Sequence, residues 1–371
     1  MISDKYLQID FPGFEHSTAR RLYRIERYLA VFTEKVLSYE SIISITCILV
    51  NILHSAILTR KSMRNSSINI IMTAVAILDI CTFFSELKKI VERFLRDYYD
   101  CFQSETYTFV IIETSFQVLQ DYSRRCSTWL CFLIALIRTL VIRNPLNQSY
   151  QKLAGPALSG FAILGILFLS LPISVVFSLE YELMKSSVPS FCNSTETTYY
   201  TVISDMFADN DGYYLKIFSI VNGLVSNIIP CVLFPIVTFL LVVELWKSDK
   251  KRKNLSSTAN VNDSRKTTRL VFYISITFFI AEFPLGITLG ATWFFLDVPG
   301  MKSIMSYFYY NFSLLLSANT ATHCIVCFFM SSQYRIAAKQ VVSCGYLTQK
   351  NKATVIQVTH TSSARRQVFK K

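Results

Sequence analysis

The sequence predicts an all-α membrane protein: a seven-transmembrane helix bundle with its N-terminus outside and an amphipathic eighth helix inside. Three observations carry that prediction. Hydrophobic residues make up 52% of the 371, and they cluster into runs approaching the ~20 residues a helix needs to cross a bilayer. A soluble domain of this length would show shorter, amphipathic segments instead. Basic residues gather in alternate loops, and the cysteines divide between spans and loops in the same pattern. Backbone groups cannot go unpaired in lipid, so the spanning elements are expected to be helices.

Residues 1–35 form a polar, extracellular N-terminus without the pattern of a cleavable signal peptide. The first hydrophobic run is expected to act as the signal anchor. Within this segment Leu22, Ile25, Leu29 and Phe32 recur at helical spacing, which predicts an amphipathic lead-in to the first span. Spans are placed at about 36–58, 68–91, 109–142, 155–179, 213–245, 268–296 and 306–330, giving a receptor-like domain over 36–330. Connections are short except for 180–212 and 247–267. Residues 331–371 form a cytoplasmic segment: Ser331 to Val342 is amphipathic and suited to the membrane surface, and a basic tail follows. Cys344 is either a palmitoylation site or an unmodified cysteine. No internal repeat is visible, which counts against a transporter.

Orientation follows from Lys and Arg. One set of loops carries Arg60, Lys61 and Arg64, then Arg143 and Lys152, then the run from Lys247 to Lys253 with Arg265 and Lys266. The opposite loop, 180–212, holds Glu180, Glu182, Glu196, Asp205, Asp209 and Asp211 against Lys185. The basic side is expected in the cytoplasm. Arg20, Arg21, Arg24 and Arg27 run against this and are outvoted by the later loops. The net charge of +12 is therefore a membrane-topology signal, and no nucleic-acid partner is expected. Seven of the ten cysteines fall inside spans and Cys344 in the tail, leaving Cys101 and Cys192 in outer loops, where an oxidising exterior favours their pairing. Asn193 heads the Asn-x-Ser/Thr site that lies outside, whereas Asn65 and Asn147 fall in inner loops.

The stretch from Arg124 to Leu146 reads RRCSTWLCFLIALIRTLVIRNPL, with Arg138 seven residues before Pro145-Leu146. This resembles the third helix of rhodopsin-like G-protein-coupled receptors. Together with TRKSMRNSSINIIM (59–72), AEFPLGI (281–287) and HCIVCFFMSSQYR (323–335), it is similar to the nematode serpentine receptor class W chemoreceptors, themselves similar to FMRFamide-type peptide receptors. The resemblance covers about 35–345. It places Asn51, Asp79, Pro230, Phe278 and Pro284 at superfamily positions in the first, second, fifth and sixth helices. It implies G-protein coupling through Arg138, Leu146 and the basic residues Arg265, Lys266 and Arg269. It also matches Asp79, Ser127 and Asn319 to the superfamily's sodium pocket, since oxygen ligands suit a hard cation. The alternative is a hydrogen-bonded cluster without an ion, and no other cofactor is expected.

Departures from the pattern shape the functional expectation. Ile137 stands where an acid usually precedes the Arg, and Thr139 where a Tyr follows, so the inactive-state lock is weakened and basal activity is expected. His323, Cys324 and Cys327 occupy the seventh-helix motif, and a metal there would lack further ligands. Glu282 replaces the sixth-helix Trp. A carboxylate in mid-membrane must be neutral, paired or solvated, and Arg124 or Arg125 on the third helix is its expected partner. With Asp121 there are two acids and two Arg residues, which leaves a group free for a ligand charge. Candidate ligand-binding residues are thus Gln117, Asp121, Arg124, Arg125, Glu282 and Tyr310. The acidic outer loop favours a cationic ligand, a peptide on the resemblance or else a small odorant. The partners expected are this extracellular ligand, a heterotrimeric G protein and membrane lipid, and the location is the plasma membrane, in a sensory cilium for a chemoreceptor. Competing readings are a non-signalling partner subunit and an ion channel or transporter using the intramembrane charges. No HExxH and no nucleophile–base pairing favour an enzyme.

Overall fold

The computed structural model describes residues 4–99, 101–144, 146–153, 155–186, 197–253, 261–295 and 297–343. Among them, six helical stretches are long and apolar enough to cross a bilayer: Glu40–Leu58, Ser67–Tyr98, Tyr107–Arg143, Pro156–Ser178, Gly212–Glu244 and Pro299–Phe329. A seventh helix, with the shorter apolar run Phe279–Leu289, completes a seven-helix membrane bundle.

In chain order, α1 (Asp4–Asp10) and α2 (His16–Leu37) precede the first span α3 (Glu40–Leu58). The second span is α4 (Ser67–Cys81) continued by α5 (Phe84–Tyr98), and the third is α6 (Tyr107–Arg143). The short α7 (Gln148–Leu153) leads to the fourth span, α8 (Pro156–Ser178). The fifth is α9 (Asp205–Gly223) joined to α10 (Ile229–Lys253) through a π-helical turn at Leu224–Ile228. The sixth is α11 (Val261–Thr292); the seventh is α12 (Pro299–Asn319) with α13 (Thr322–Met330), and α14 (Ser332–Val342) follows. The second and seventh spans each break beside a threonine that bonds back to the preceding turn. Thr82 Oγ1 donates to the Asp79 carbonyl at 2.7 Å and Thr322 Oγ1 to that of Asn319 at 2.6 Å, a competition with the helix ladder that bends helices.

Two features depart from the sequence expectation. The 180–212 connection holds a hairpin of β1 (Tyr181–Ser186) and β2 (Thr198–Ile203), antiparallel with Tyr181 opposite Ile203, so the chain is not purely helical. The Tyr199 amide donates to the Glu105 carbonyl at 2.8 Å, tying the hairpin to the start of α6. The second departure is the N-terminal segment, which is a docked arm as well as a lead-in. Leu7, Phe11 and Ala19 are buried against Met301 and Ile304 of α12, and Asn311 Nδ2 donates to Thr33 Oγ1 at 2.7 Å. Phe11 lies over Gly300, where a Cβ would stand 2.3 Å from the ring. Ile25 and Phe32 of the expected apolar stripe are instead exposed, because the face that meets α12 runs through Ala19, Leu22, Leu29 and Thr33.

The main core lies at the α14 end, where Ile57, Ile71, Val75, Leu130, Ile134, Phe234, Leu241 and Tyr334 pack together from α3, α4, α6, α10 and α14. The hairpin end is left more open, and a cavity forms there.

Candidate ligand-binding site

A cavity of about 570 Å³ opens between the helices beneath the hairpin, within the size range of small-molecule sites. Gln117, Asp121, Arg124, Arg125, Glu282 and Tyr310 all line it. Helical spacing explains why α6 supplies four of these: Gln117, Asp121, Arg124 and Arg125 recur at three- and four-residue intervals on one side of the helix. Phe177, Tyr181, Phe218 and Tyr309 add an aromatic wall.

The charges are arranged differently from the expected Glu282–Arg ion pair. Arg125, 1% exposed, pairs with the Asp121 carboxylate one turn earlier. It also donates to Asn222 Oδ1 at 2.8 Å, to Ser226 Oγ at 3.2 Å and to Ser174 Oγ at 2.8 Å. One guanidinium thereby clamps α6 to α8 and to the fifth span. The π-helical turn at Leu224–Ile228 contributes to the same junction: Trp129 Nε1 donates to the Val225 carbonyl at 3.1 Å. Such turns often mark functional sites.

Arg124 faces the other way and donates to Ser317 Oγ on α12 at 3.3 Å. Glu282 is 2% exposed; its Oε1 accepts from Thr128 Oγ1 at 3.0 Å, and its Oε2 has no hydrogen-bond partner. Neither Arg forms a salt bridge with it among the described residues. No close Glu282–Arg contact forms because Arg125 finds a carboxylate and three polar neighbours on its own side, while Arg124 donates to α12 and acts on Glu282 through its charge alone. Around the cavity, then, Arg125 and Asp121 pair with each other, while Arg125 Nε and Glu282 Oε2 are left without hydrogen-bond partners.

A second cavity, of about 30 Å³, lies below the first and is lined by Asp79, Ser127 and Asn319. Arg124, Thr128, Glu282 and Leu316 line both cavities and form the wall between them. Ser127 Oγ donates to Asp79 Oδ1 at 2.7 Å, and Asp79 Oδ2 has no hydrogen-bond partner. Asn319 Oδ1 accepts from Thr322 Oγ1 at 2.9 Å, and His323 Nδ1 stands 3.9 Å from Asp79 Oδ2. The lining is rich in oxygen, from Asp79, Ser127 and Asn319, and also includes Arg124.

The rim holds two titratable groups outside the spans. Burial raises the Glu180 carboxyl above the usual range, the Asp121 charge adds to this, and the Tyr181 hydroxyl opposes it. Tyr181 is pushed up to about 12, by burial first and Glu180 second. Beside the main cavity Glu113, at the spacing where a family cysteine falls, is engaged by Lys88 Nζ at 3.0 Å, Ser85 Oγ at 3.2 Å and Gln117 Nε2 at 3.0 Å.

At the α14 end Arg138 is half-buried with its Nε unpartnered, and no described carboxylate forms a salt bridge with it. Leu146 is 96% exposed. Arg265, Lys266 and Arg269 lie on α11, with their side chains outside the described residues. Cys192, Asn193 and Cys344 also lie outside them. Cys101 is disulfide-bonded, and its partner is not among the described residues. Tyr334 of α14, 1% exposed, places its hydroxyl 2.7 Å from His54 Nδ1 and 3.3 Å from Cys324 Sγ.

Sequence reasoning missed Ser174, Asn222 and Ser226, and placed Glu180 in the acidic outer loop without assigning it to the cavity. A signal existed for two of them, since Asn222 and Ser226 are polar residues four apart in an apolar helix, a spacing that stacks them on one face.

The family described as serpentine type 7TM GPCR chemoreceptor Srw matches residues 38–345. Among curated proteins, the G-protein coupled receptor dmsr-1 of Caenorhabditis elegans is 21% identical over 225 residues, which cover 59% of this chain. The match spans 44% of that relative's length.

Proposed function

The chain belongs to the Srw family of serpentine seven-transmembrane chemoreceptors, and on that premise we propose that it is a receptor for a cationic ligand, acting through a heterotrimeric G protein at the plasma membrane. The observation that carries the ligand class is Glu282 Oε2, a buried carboxylate oxygen without a partner at the floor of an aromatic-walled cavity. An ammonium or guanidinium in that cavity would reach this enclosed oxygen once the Glu282 side chain turns toward it, competing there with the Arg124 charge, and buried polar groups gain most from being paired. Glu180 at the rim and the acidic 180–212 connection add an attractive field. The hairpin end is read as extracellular, since the basic loops lie at the other end, and a Cys101–Cys192 bridge would pin the hairpin there.

Engagement of Glu282 disturbs the wall it shares with the Asp79 cavity and so biases the bundle between two states. Asp79, Ser127 and Asn319 would hold a sodium ion when one is bound, supplying a positive charge against Asp79. Arg138, Leu146 and the basic start of α11 are read as the G-protein surface. The similarity to dmsr-1 is consistent with a receptor role, and the FMRFamide-type resemblance favours a basic peptide over a neutral odorant.

The test is a G-protein activation assay in cells on wild type, Arg138→Ala and Glu282→Gln, at matched surface expression, without ligand and with a library of basic peptides and odorants. The reading expects a signal that Arg138→Ala abolishes and a peptide response that Glu282→Gln weakens selectively. Responses only to neutral compounds would overturn the ligand class. A surface-expressed protein that never signals would favour the partner-subunit reading.

A further inference from the structure

On the membrane-facing side of the bundle, α10 and α11 flank a third, separate cavity of about 260 Å³ that opens outward between them. Pro235, Thr238, Phe239 and Val242 line it from α10, and Phe272, Ile276 and Phe279 from α11. None of these residues is ionisable. Pro235 has no N–H to give the carbonyl four residues back, which loosens the α10 ladder at this level. The floor carries one polar oddity. Thr238 is 7% exposed and its Oγ1 has no hydrogen-bond partner. Other threonines bond back to their own helix: Thr288 of α11 to Pro284 at 2.9 Å, and in other spans Thr46 to Ile42 at 2.8 Å, Thr73 to Asn69 at 2.7 Å and Thr139 to Ala135 at 2.8 Å. A buried hydroxyl without a partner is a cost that a bound acceptor removes.

We propose that this α10–α11 cavity is a binding site for a small lipophile carrying one carbonyl oxygen, such as a medium-chain or aryl ketone, which enters from the bilayer and accepts a hydrogen bond from Thr238 after a turn about χ1 brings the enclosed hydroxyl to the cavity. The size follows from the volume, since a dry apolar cavity of about 150 Å³ takes benzene and 260 Å³ holds a molecule nearer twice that size. The source follows from position. Phe239, Ile276 and Ile280 around the cavity are exposed on membrane-spanning helices, so the way in is through lipid. Thr238 lies about 12 Å along the axis from Trp246 at 1.5 Å per residue, too deep for a charged head group. Lipid tails alone could line the cavity but would leave the Thr238 hydroxyl unmet.

Benzophenone is both a probe of this class and its own reporter. On irradiation its carbonyl takes a hydrogen atom from a nearby C–H bond and the two radicals join, forming a carbon–carbon bond and turning the ketone into a tertiary alcohol with no atom lost. The full-length receptor in lipid nanodiscs would be irradiated with benzophenone, with and without excess 2-undecanone, and the adducts mapped by peptide mass spectrometry. The flat apolar face of α8, where Phe161, Phe168 and Leu169 are 72%, 73% and 75% exposed, is the internal control. The expected result is labelling concentrated in 235–242 and 272–279, saturable and suppressed by 2-undecanone. Thr238→Val should weaken that competition about five- to tenfold, the size of one neutral hydrogen bond, and Val242→Trp should abolish the concentrated labelling by filling the space. Labelling that follows lipid exposure, equal on α8 and untouched by 2-undecanone, would overturn the site. Saturable labelling indifferent to Thr238→Val would overturn the assigned ligand class.

Discussion

Thr128 on α6 donates a 3.0 Å hydrogen bond to Glu282 on α11 and leaves the second oxygen of that carboxylate bare. The sixth helix is thereby held to the third at the level where the large cavity meets the small one. Glu282→Gln keeps the shape and the bond from Thr128 and leaves no carboxylate to ionise against a cation. Losing one member of a buried charge pair typically costs about 2 kcal/mol or more, about 30-fold in affinity. Concentration–response curves for a basic ligand should shift by about that factor, with surface expression unchanged. An unshifted curve would place the ligand's charge elsewhere.

Arg125 has a structural assignment. Arg125→Leu strands Asp121, Asn222 and Ser174 in the interior, and breaking a buried pair from one side costs about 3–5 kcal/mol. Thermal unfolding of detergent-solubilised receptor should show a clear loss, and surface expression should fall. Asp121→Asn, which keeps a hydrogen-bonding side chain beside Arg125, should be milder.

With a cationic ligand, Glu180 would make recognition sensitive to pH. Its folded pKa is raised, by burial first, so the folded protein takes up this proton at higher pH than the unfolded chain does. Its contribution to stability is therefore largest at low pH and is lost as pH rises through the folded value. Binding of a cation runs oppositely, strengthening as Glu180 ionises. Affinity measured across the acidic range should fall with falling pH, beginning above the usual carboxylate range, and Glu180→Gln should flatten that part of the profile.

The N-terminal arm can be tested at one contact. In Gly300→Ala the new Cβ would lie 2.3 Å from the Phe11 ring, which must move. Overpacking of this kind costs about 1–3 kcal/mol. Limited proteolysis should release the arm faster in Gly300→Ala than in wild type. If the contact is the cause, the Phe11→Ala, Gly300→Ala double variant should be no worse than Phe11→Ala alone.

At the other end, the missing acid is the lever. Ile137 is buried beside Arg138, whose Nε lacks a partner. The family resemblance puts an acid at this position, where it would supply a local charge for Arg138. Ile137→Asp should lower ligand-independent signalling at equal expression, and a rise would reverse the proposed role of the substitution.

Much of this was legible in the chain. The spans are local sums of transfer free energy over about 20 residues, which is why Glu40–Leu58 and Pro156–Ser178 fall within a few residues of their expected positions. The six candidate ligand residues line one cavity for a related reason. Ionisable side chains are too costly to face lipid, so an intramembrane Asp121, Arg124, Arg125 or Glu282 had to turn inward. What sequence could not supply was the choice of partner. Arg125 joined Asp121 and Asn222 and left Glu282 to Thr128, Phe11 settled on Gly300, and Thr238 was left bare beside Pro235. Each outcome depends on how neighbouring helices are rotated and spaced against one another, and that is set by packing across hundreds of residues. Hydropathy determined which residues must be inside, and only the tertiary arrangement decided which of them meet.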